Sequence, residues 1–321
     1  MRCPECSHEQ PAKLGTRCGK CRYEFVFNPK KPPYFSDTAF ANAITKASAN
    51  DTYYFTRNQL GGLLRRKIRE SGKGQGCLIV LVGIVSIVMV AMDAGFFALI
   101  PVVIGFFTFL DLRRRRLLAA DPELPSTLID RWVKANGPIE RLIETPRLHQ
   151  PPPEWTEYDI YDYGVERVLI VEHDLLVDLF VLNGFHAEQR ALVISESGYP
   201  HYLLPHLQRM LRERPDLPVF LLHDPSPDGQ DLRRRVEASK ELSLGDHPIT
   251  DLGLTPKDVR RMPNLRKSHR GLDAAAIPLD GILFSTLVGG VGAALISDIA
   301  IADLLDPRRA QDDGSSGGGF G

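Results

Sequence analysis

The sequence predicts an α/β domain with a parallel sheet, preceded by a small cysteine-rich segment and a membrane-spanning helical hairpin. Between residues 165 and 262, short apolar runs alternate with amphipathic stretches, which is the pattern of strands joined by crossover helices. Four of the five cysteines lie near the N-terminus, and an apolar stretch with a single charge runs from Cys77 to Leu110. The formal net charge is −1, so no global positive field favours nucleic acid.

The N-terminal segment, residues 1–27, carries two Cys-x-x-Cys pairs. Their members are Cys3, Cys6, Cys18 and Cys21. Four thiolates complete the tetrahedral shell of a structural zinc ion (Zn²⁺) and leave no open position for catalysis. The segment resembles a short zinc ribbon, which folds only when metal binds and offers a surface to protein partners. The alternative is a pair of redox dithiols or disulfides, which a reducing compartment disfavours.

Residues 28–76 are predicted to connect this segment to the membrane. A linker rich in proline comes first, and a helix over about residues 38–49 follows it. Leu60–Glu70 is predicted to be a basic helix, amphipathic enough to lie on a lipid surface. The glycine-rich run at 71–76 lacks the spacing of a phosphate-binding loop. We therefore interpret this run as a hinge.

The apolar stretch at 77–110 is predicted to form a transmembrane helical hairpin. A single helix of this length would measure about 50 Å, whereas the hydrocarbon core of a bilayer is about 30 Å thick. Two helices of about 15 residues each, hinged at Asp93-Ala94-Gly95, fit better. The alternative is a re-entrant hairpin that dips into the bilayer and returns. Both versions make membrane lipid a partner.

Basic residues flank both ends of the hairpin. Arg65 and Lys67 precede it, and Arg113 and Arg114 follow it. Positive residues close to membrane ends stay on the cytoplasmic side. We therefore predict a multi-pass protein of the cell membrane, with both soluble parts cytoplasmic. The polar N-terminus does not have the pattern of a cleavable signal peptide.

A linker and helical region is predicted over residues 111–164, and an alternating strand–helix pattern follows over residues 165–262. Strands are predicted at 168–171, 191–194 and 218–222. Right-handed crossovers make all three strands parallel. Glu172 follows the first strand, and Asp224 and Asp228 follow the third. Carboxyl ends of parallel strands form the edge at which open α/β sheets bind ligands, so these acids form a candidate site.

Four motifs follow one another in this region. They are Glu172 after the first strand, Gly198-Tyr199-Pro200 after the second, Asp224-Pro225-Ser226-Pro227-Asp228-Gly229 after the third, and Asp251–Val259 beyond it. Together they resemble the Toprim domain of the Spo11 and topoisomerase VI A-subunit family. The resemblance implies a Toprim-like fold and a site for Mg²⁺ or Mn²⁺, with Glu172, Asp224 and Asp228 as its candidate catalytic residues.

Two departures from the family pattern bear on the chemistry. Ser226 stands where the family has the second aspartate of its acidic motif. Asp228, two residues further along the chain, is the candidate substitute for that aspartate. Only about 50 residues separate Arg116 from the first strand, which is too few for the winged-helix domain that carries the family's cleaving tyrosine. Double-strand cleavage is therefore not implied. The alternative to a metal site is an acidic cluster that only caps helices and turns. His173 and His223, beside these acids, are interpreted as ordinary polar residues, and the alternative is that they assist the acids.

We expect a membrane-anchored protein whose Toprim-like domain acts on nucleic acid or nucleotide phosphates. The alternative function is a non-enzymatic membrane adaptor that binds protein partners through the cysteine segment and a degenerate Toprim-like domain. Residues 263–305 are predicted to be an apolar helical region. Within it, residues 282–302 form either a third membrane helix or a packed helix. Residues 306–321 are predicted to be a flexible glycine-rich tail.

Overall fold

The structure is a computed structural model that describes residues 1–70, 99–151, 164–262 and 272–297. Within these residues the chain divides into two compact units. The first comprises Met1–Thr45 with Gly61–Pro138, and the second comprises Lys46–Leu60, Ile139–Lys267 and the chain from Leu272 onward. The first predicted hairpin helix, the hinge at 71–76 and the tail at 306–321 lie outside the described residues.

The helices and strands of the described residues are defined as follows. The helices are α1 (Asp37–Ala47), α2 (Arg57–Glu70), α3 (Leu99–Ala120), α4 (Leu124–Asn136), α5 (Asp174–Val181), α6 (Phe185–Glu188), α7 (Leu204–Glu213), α8 (Pro227–Gln230), α9 (Leu232–Ala238), α10 (Pro256–Arg261) and α11 (Phe284–Ile296). The strands are β1 (Phe55–Thr56), β2 (Leu142–Ile143), β3 (Arg167–Val171), β4 (Ala191–Ser195), β5 (Val219–Leu222) and β6 (Ile249–Asp251).

The second unit is built on a parallel sheet with the strand order β4-β3-β5-β6. The predicted parallel sheet is therefore confirmed, and its first and third predicted strands are neighbours. In the register, Val171 pairs with both Ser195 and Leu222. We did not predict β6, which is a short edge strand whose residues are half-buried or exposed. It lacks the continuous apolar run that marks a buried parallel strand.

Two apolar cores lie on the two faces of this sheet. Leu169 and Val171 face one core, and Val168 and Ile170 face the other, as the alternation of side chains along a strand requires. The first core includes Phe180 of α5 and several residues of α11, namely Phe284, Leu287, Val291 and Leu295. The helix predicted within 282–302 is thus packed in its described part, and the alternative of a third membrane helix is wrong.

A small parallel pair, β1 with β2, was not predicted from the sequence. Phe55 pairs with Leu142, and Thr56 pairs with Ile143. Two-residue strands carry no periodic signal, and the two partners are far apart in the chain. Helix α2 begins directly after β1. Its apolar residues Leu64 and Ile68 are fully buried, so the prediction that this helix lies on a lipid surface is wrong.

The predicted transmembrane hairpin and the multi-pass localisation are contradicted. In the part of the chain that the structure describes, no helix is both long enough and apolar enough to cross a bilayer. The second predicted hairpin helix is part of α3, which has 22 residues. Phe107 and Phe109 of α3 are exposed, but the same helix continues through Asp111 and the arginines at 113–116. The prediction followed the apolar half of α3 and ended the helix where the charged half begins.

An aromatic cluster forms the core of the first unit. Phe40 of α1 stacks on Trp132 of α4 with ring centroids 4.5 Å apart, and Phe27 stacks on Phe40 at 5.5 Å. Asp37, at the start of α1, accepts hydrogen bonds from the Tyr23 hydroxyl and from the backbone amides of Val26 and Phe27. The helix predicted near residue 38 is confirmed, and Asp37 ties it to the end of the cysteine segment.

Candidate functional site

Glu172 and Asp224 meet at the carboxyl edge of the sheet. Glu172 directly follows β3, and Asp224 lies just beyond the end of β5. Because these strands are neighbours, the two acids are brought into contact. The backbone amide of Asp224 donates a hydrogen bond to Glu172 Oε2 at 2.8 Å. Both side chains are buried, with exposed residue fractions of 6% and 8%.

His173 completes a compact group with these two acids. Its Nε2 lies 3.4 Å from Asp224 Oδ2 and 3.8 Å from Glu172 Oε1. Ligand atoms of the three residues all lie within 4.8 Å of one another. Two carboxylates and an imidazole at this spacing are a donor set that can hold a divalent cation.

The charge of the group also fits a cation. Burial raises the pKa of Glu172 above its ordinary value, and the nearby Asp224 carboxylate raises it further. The contact with Asp224 raises the pKa of His173 to about 8. Burial raises the pKa of a third acid, Asp280, to about 6. Buried carboxylates that lie together are costly unless a positive charge accompanies them.

A segment distant in sequence holds the acids from the other side. The backbone amide of Leu279 donates to Asp224 Oδ1 at 2.7 Å. The next residue, Asp280, accepts two hydrogen bonds from Asn58 Nδ2, at 2.9 and 3.1 Å. The Thr56 hydroxyl donates to the Asp280 carbonyl at 2.7 Å. The start of α2 thus fixes the segment that orients Asp224.

Ser226 and Asp228 occupy positions with local roles. The Ser226 hydroxyl accepts a hydrogen bond from the Gly229 amide at 2.8 Å and caps α8. Asp228 lies exposed in the first turn of that helix. The group of converging ligand atoms comprises Glu172, His173 and Asp224 and does not include Asp228.

The bottom of the site has room only for a glycine. A Cβ atom on Gly229 would lie 2.2 Å from the Asp224 carbonyl oxygen and 2.9 Å from Glu172 Oε2. Real Cβ atoms do not approach other atoms this closely, so a larger residue would push the two acids apart. The glycine that ends the acidic motif is therefore required by the packing around the carboxylates.

A buried histidine, His223, contacts the backbone of the loop that carries Asp224. His223 is 3% exposed, its Nδ1 lies 2.7 Å from the Asp224 carbonyl oxygen, and its Nε2 lies 3.2 Å from Asp251 Oδ1. Burial alone would lower the pKa of His223, but its hydrogen bonds with Asp251 and the Asp224 carbonyl raise the pKa above the ordinary value. A Cβ atom on Gly253 would lie 2.0 Å from His223 Nε2. The later motif, at 251–259, therefore positions His223 beside Asp224.

Tyr199 of the Gly-Tyr-Pro turn has a structural role. Its hydroxyl donates to Asp178 Oδ1 at 2.6 Å and accepts a hydrogen bond from the Leu148 amide. Tyr199 is 3% exposed and Asp178 is fully buried. Burial raises the pKa of Asp178 and also that of Tyr199. This pair fixes the turn after β4 and does not reach the acidic group.

The four N-terminal cysteines form a second cluster. Their sulfur atoms lie within 4.8 Å of one another, with Cys3 Sγ and Cys21 Sγ 3.5 Å apart and Cys6 Sγ and Cys18 Sγ 3.6 Å apart. A tetrahedral zinc ion with bonds of about 2.3 Å requires sulfur atoms about 3.8 Å apart. The spacing therefore fits one zinc ion.

The two cysteine pairs have the same backbone geometry. The Ser7 amide donates to the Cys3 carbonyl, and the Arg22 amide donates to the Cys18 carbonyl. Both Ser7 and Arg22 have positive φ angles, 56° and 66°. Each pair lies beside one isolated antiparallel bridge, and the described residues 1–27 contain no strand. The predicted zinc ribbon is therefore not confirmed as a fold, because each cysteine pair has a single bridge and no ladder in these residues.

Comparison with known proteins agrees with this architecture. Residues 167–275 match the family model described as the Toprim domain of the topoisomerase 6 A-subunit and Spo11. The curated relatives include the A-subunit of type 2 DNA topoisomerase 6 from Hyperthermus butylicus, 28% identical over 124 residues that cover 38% of this chain and 32% of the relative. The corresponding protein of Saccharolobus shibatae is 25% identical over 131 residues, covering 40% and 33%.

A third relative, the A-subunit of the same topoisomerase from Aeropyrum pernix, is 32% identical over 80 residues, which cover 25% of this chain and 20% of the relative. The chain thus spans about a third or less of the length of these relatives. No solved structure matches it. The predicted resemblance is confirmed: residues 167–275 are a Toprim domain of the type found in the topoisomerase 6 A-subunit and Spo11. Glu172, His173 and Asp224, the group that can hold a metal ion, all lie within the matched residues.

Sequence reasoning named Glu172 and Asp224, and the structure brings them together. His173 was placed beside the acids but was interpreted as an ordinary polar residue, and Asp280 and Asn58 were not anticipated. His173 carried a signal, since it follows Glu172 directly. No sequence signal marked Asp280 and Asn58, because each lies far along the chain from the acids that it helps to position.

Proposed function

We propose that the Toprim domain binds Mg²⁺ or Mn²⁺ through Glu172 and Asp224 and uses it to bind nucleic-acid or nucleotide phosphates. The observation that carries this proposal is the convergence of the two acids at the ends of neighbouring strands, with the Asp224 amide bonded to Glu172. A bound ion of this kind neutralises phosphate charge and polarises the phosphoryl group. Asp228, exposed beside the group, stays a proposed additional ligand that contacts the ion through water.

The residues of the chain have defined roles in this proposal. Glu172 and Asp224 supply anionic oxygens, and Leu279 and His223 hold Asp224 in place by hydrogen bonds. The buried Tyr199 hydroxyl is engaged with Asp178, so it is not offered as a nucleophile. We therefore propose phosphate binding and metal-assisted chemistry at the sheet edge, without a covalent tyrosine step from this turn.

The test is nucleic-acid binding measured with and without metal. Fluorescence anisotropy with a labelled DNA duplex, a labelled single strand and a labelled nucleotide would be recorded in Mg²⁺, in Mn²⁺ and in EDTA. The wild type is expected to bind at least one probe more tightly with metal, and Asp224→Asn is expected to lose that increment. Asp246→Asn, which removes an exposed acid outside the group, is the matched control. Equal binding by wild type and Asp224→Asn in every buffer contradicts the proposal.

A non-enzymatic adaptor is the second candidate function, and the role of Ser226 favours it. Because Ser226 caps α8 and supplies no carboxylate, the acidic motif has lost one of its charged groups. Under this second function, the Toprim domain and the cysteine segment bind protein partners. Metal-independent capture of a partner together with no metal binding at Asp224 would support the adaptor and exclude the phosphate-binding function.

We also propose that Cys3, Cys6, Cys18 and Cys21 bind one structural zinc ion. The sulfur separations of 3.5 and 3.6 Å support this ligand set. Burial raises the pKa of Cys3, whereas the Cys21 amide and other donors lower the pKa of Cys18 to about 6. Thiolates gathered this closely repel one another unless a cation binds them. Zinc analysis of the reduced protein tests the proposal, which requires one zinc ion per chain.

A further inference from the structure

The free oxygens of both acids point toward His173. Glu172 Oε2 is occupied by the Asp224 amide, and Asp224 Oδ1 is occupied by the Leu279 amide. The remaining oxygens, Glu172 Oε1 and Asp224 Oδ2, are the ones nearest to His173 Nε2, at 3.8 and 3.4 Å. The two backbone amides therefore leave one oxygen of each acid without an amide donor, and the imidazole of His173 lies beside these two oxygens.

These separations suit three ligands of one ion. Ligand atoms at right angles around an ion with bonds of about 2.1 Å are about 3 Å apart, and those at wider angles reach about 4 Å. The separations of 3.4 and 3.8 Å lie within this interval. The His173 side chain is 55% exposed, so the third ligand position opens toward solvent and a substrate phosphate.

We infer that His173 is the third protein ligand of this site and replaces the carboxylate that Ser226 does not supply, an inference that rests on the proposed metal-binding function. Ser226 cannot take this role while its hydroxyl caps α8. Asp228 lies outside the group whose ligand atoms converge. In this site the third ligand is therefore the residue after Glu172, and the loop after β5 supplies only Asp224.

This change of ligand alters the choice of metal. Carboxylates alone suit Mg²⁺, whereas imidazole favours transition metals, whose affinity for such sites rises from Mn²⁺ onward. A site with one imidazole should therefore prefer Mn²⁺ to Mg²⁺ because of His173. The competing explanation is that His173 only neutralises the acids as a cation. In that case its removal would strengthen metal binding, so the two explanations predict opposite signs.

The experiment is calorimetric titration of the full chain with Mn²⁺ and with Mg²⁺, and it compares wild type with His173→Ala. Only binding that Asp224→Asn abolishes is assigned to the site. His173→Ala is expected to weaken Mn²⁺ binding about tenfold or more and Mg²⁺ binding by less than about threefold. His201→Ala, which changes an exposed histidine outside the group, is the matched control and should change neither affinity.

Electron spin-echo spectroscopy of the Mn²⁺ complex provides a direct readout of the bond. Wild type should show coupling of Mn²⁺ to a ¹⁴N nucleus, and His173→Ala should not. If wild type binds Mn²⁺ without this coupling, or if His173→Ala binds Mn²⁺ as tightly as wild type or more tightly, the inference is overturned while the metal site stands. If wild type binds neither metal at an Asp224-dependent site, the proposed function itself fails and the inference fails with it.

Discussion

At the scale of the residue, some side chains of the acidic site could be predicted from the sequence pattern and others could not. Glu172 and Asp224 were predictable because each follows an apolar run, and strand ends in a parallel sheet converge on one edge. The role of Asn58 was not predictable, because its contact with Asp280 joins parts of the chain that no local periodicity connects. Ser226 was recognised as a departure, but only the structure shows its hydroxyl capping α8.

Gly229 provides the sharpest packing prediction. Gly229→Ala should destabilise the protein by about 1–3 kcal/mol and weaken metal binding, since the new Cβ would lie 2.2 Å from the Asp224 carbonyl oxygen. Gly289→Ala is the matched control, because no atom lies within 4 Å of its added Cβ. Urea denaturation and metal titration of both variants test the prediction. Equal stability of the two alanine variants would contradict the prediction, because it would mean that the loop around Asp224 shifts without cost to make room for the added Cβ.

From the environment of His186 we predict that the stability of the protein depends on pH, independently of the metal site. Burial lowers the pKa of His186 from 6.5 to about 4. Between these values the unfolded chain binds more protons than the folded chain, so this group makes the free energy of unfolding fall as pH falls through the window. His186→Asn should therefore lose less stability than wild type between pH 6.5 and 4. Denaturation at a series of pH values measures the difference, with His201→Asn as control, and parallel curves for wild type and His186→Asn would refute it.

At the scale of the element, apolar runs predicted the strands well and the membrane segment badly. Strands β3, β4 and β5 lie within a residue of their predicted bounds because each contains a continuous apolar run whose residues are mostly buried. The same criterion failed at α3, where the apolar half continues into an arginine-rich half of the same helix. The edge strand β6 and the pair β1–β2 were missed because short strands gain their hydrogen bonds from partners elsewhere in the chain.

Helix α8 has only four residues, so its N-cap should have a measurable effect. Ser226→Ala is expected to cost about 1 kcal/mol because the Gly229 amide loses its acceptor. Ser226→Asp should keep the cap, since aspartate is a good N-cap residue. Chemical denaturation checks both variants. A Ser226→Asp variant that is as unstable as Ser226→Ala would contradict the role assigned to Ser226.

At the scale of the whole molecule, the chain combines a Toprim domain with a separate cysteine centre. The Toprim match covers residues 167–275, and the cysteine segment lies far outside it. The remaining segment boundaries stay predictions. The cysteine cluster was predictable because two Cys-x-x-Cys pairs are a local signature of metal binding. The presence of a β-ribbon was not predictable, since the length of its strand ladder depends on the residues between the two cysteine pairs.

Zinc removal should affect the cysteine segment before the Toprim domain. Cys18→Ser is expected to lower the zinc content from one ion per chain to none and to remove hydrogen-exchange protection from residues 2–9 and 17–24, because metal binding supplies the folding energy of so small a segment. Protection of β3 and β5 should not change. Cys77→Ser, which changes the fifth cysteine, is the control. Full zinc content in Cys18→Ser would contradict the four-cysteine site.

The most direct test of the central claim is a crystal structure of the protein soaked in Mn²⁺, with anomalous scattering to locate the ion. We predict an anomalous peak about 2.1–2.4 Å from Glu172 Oε1 and Asp224 Oδ2, the two oxygens that the backbone amides leave free. The peak should be absent in Asp224→Asn. A structure that separates the two carboxylates too far to share one ion, or that shows no Mn²⁺ at the sheet edge, would contradict the claim that this is a metal site.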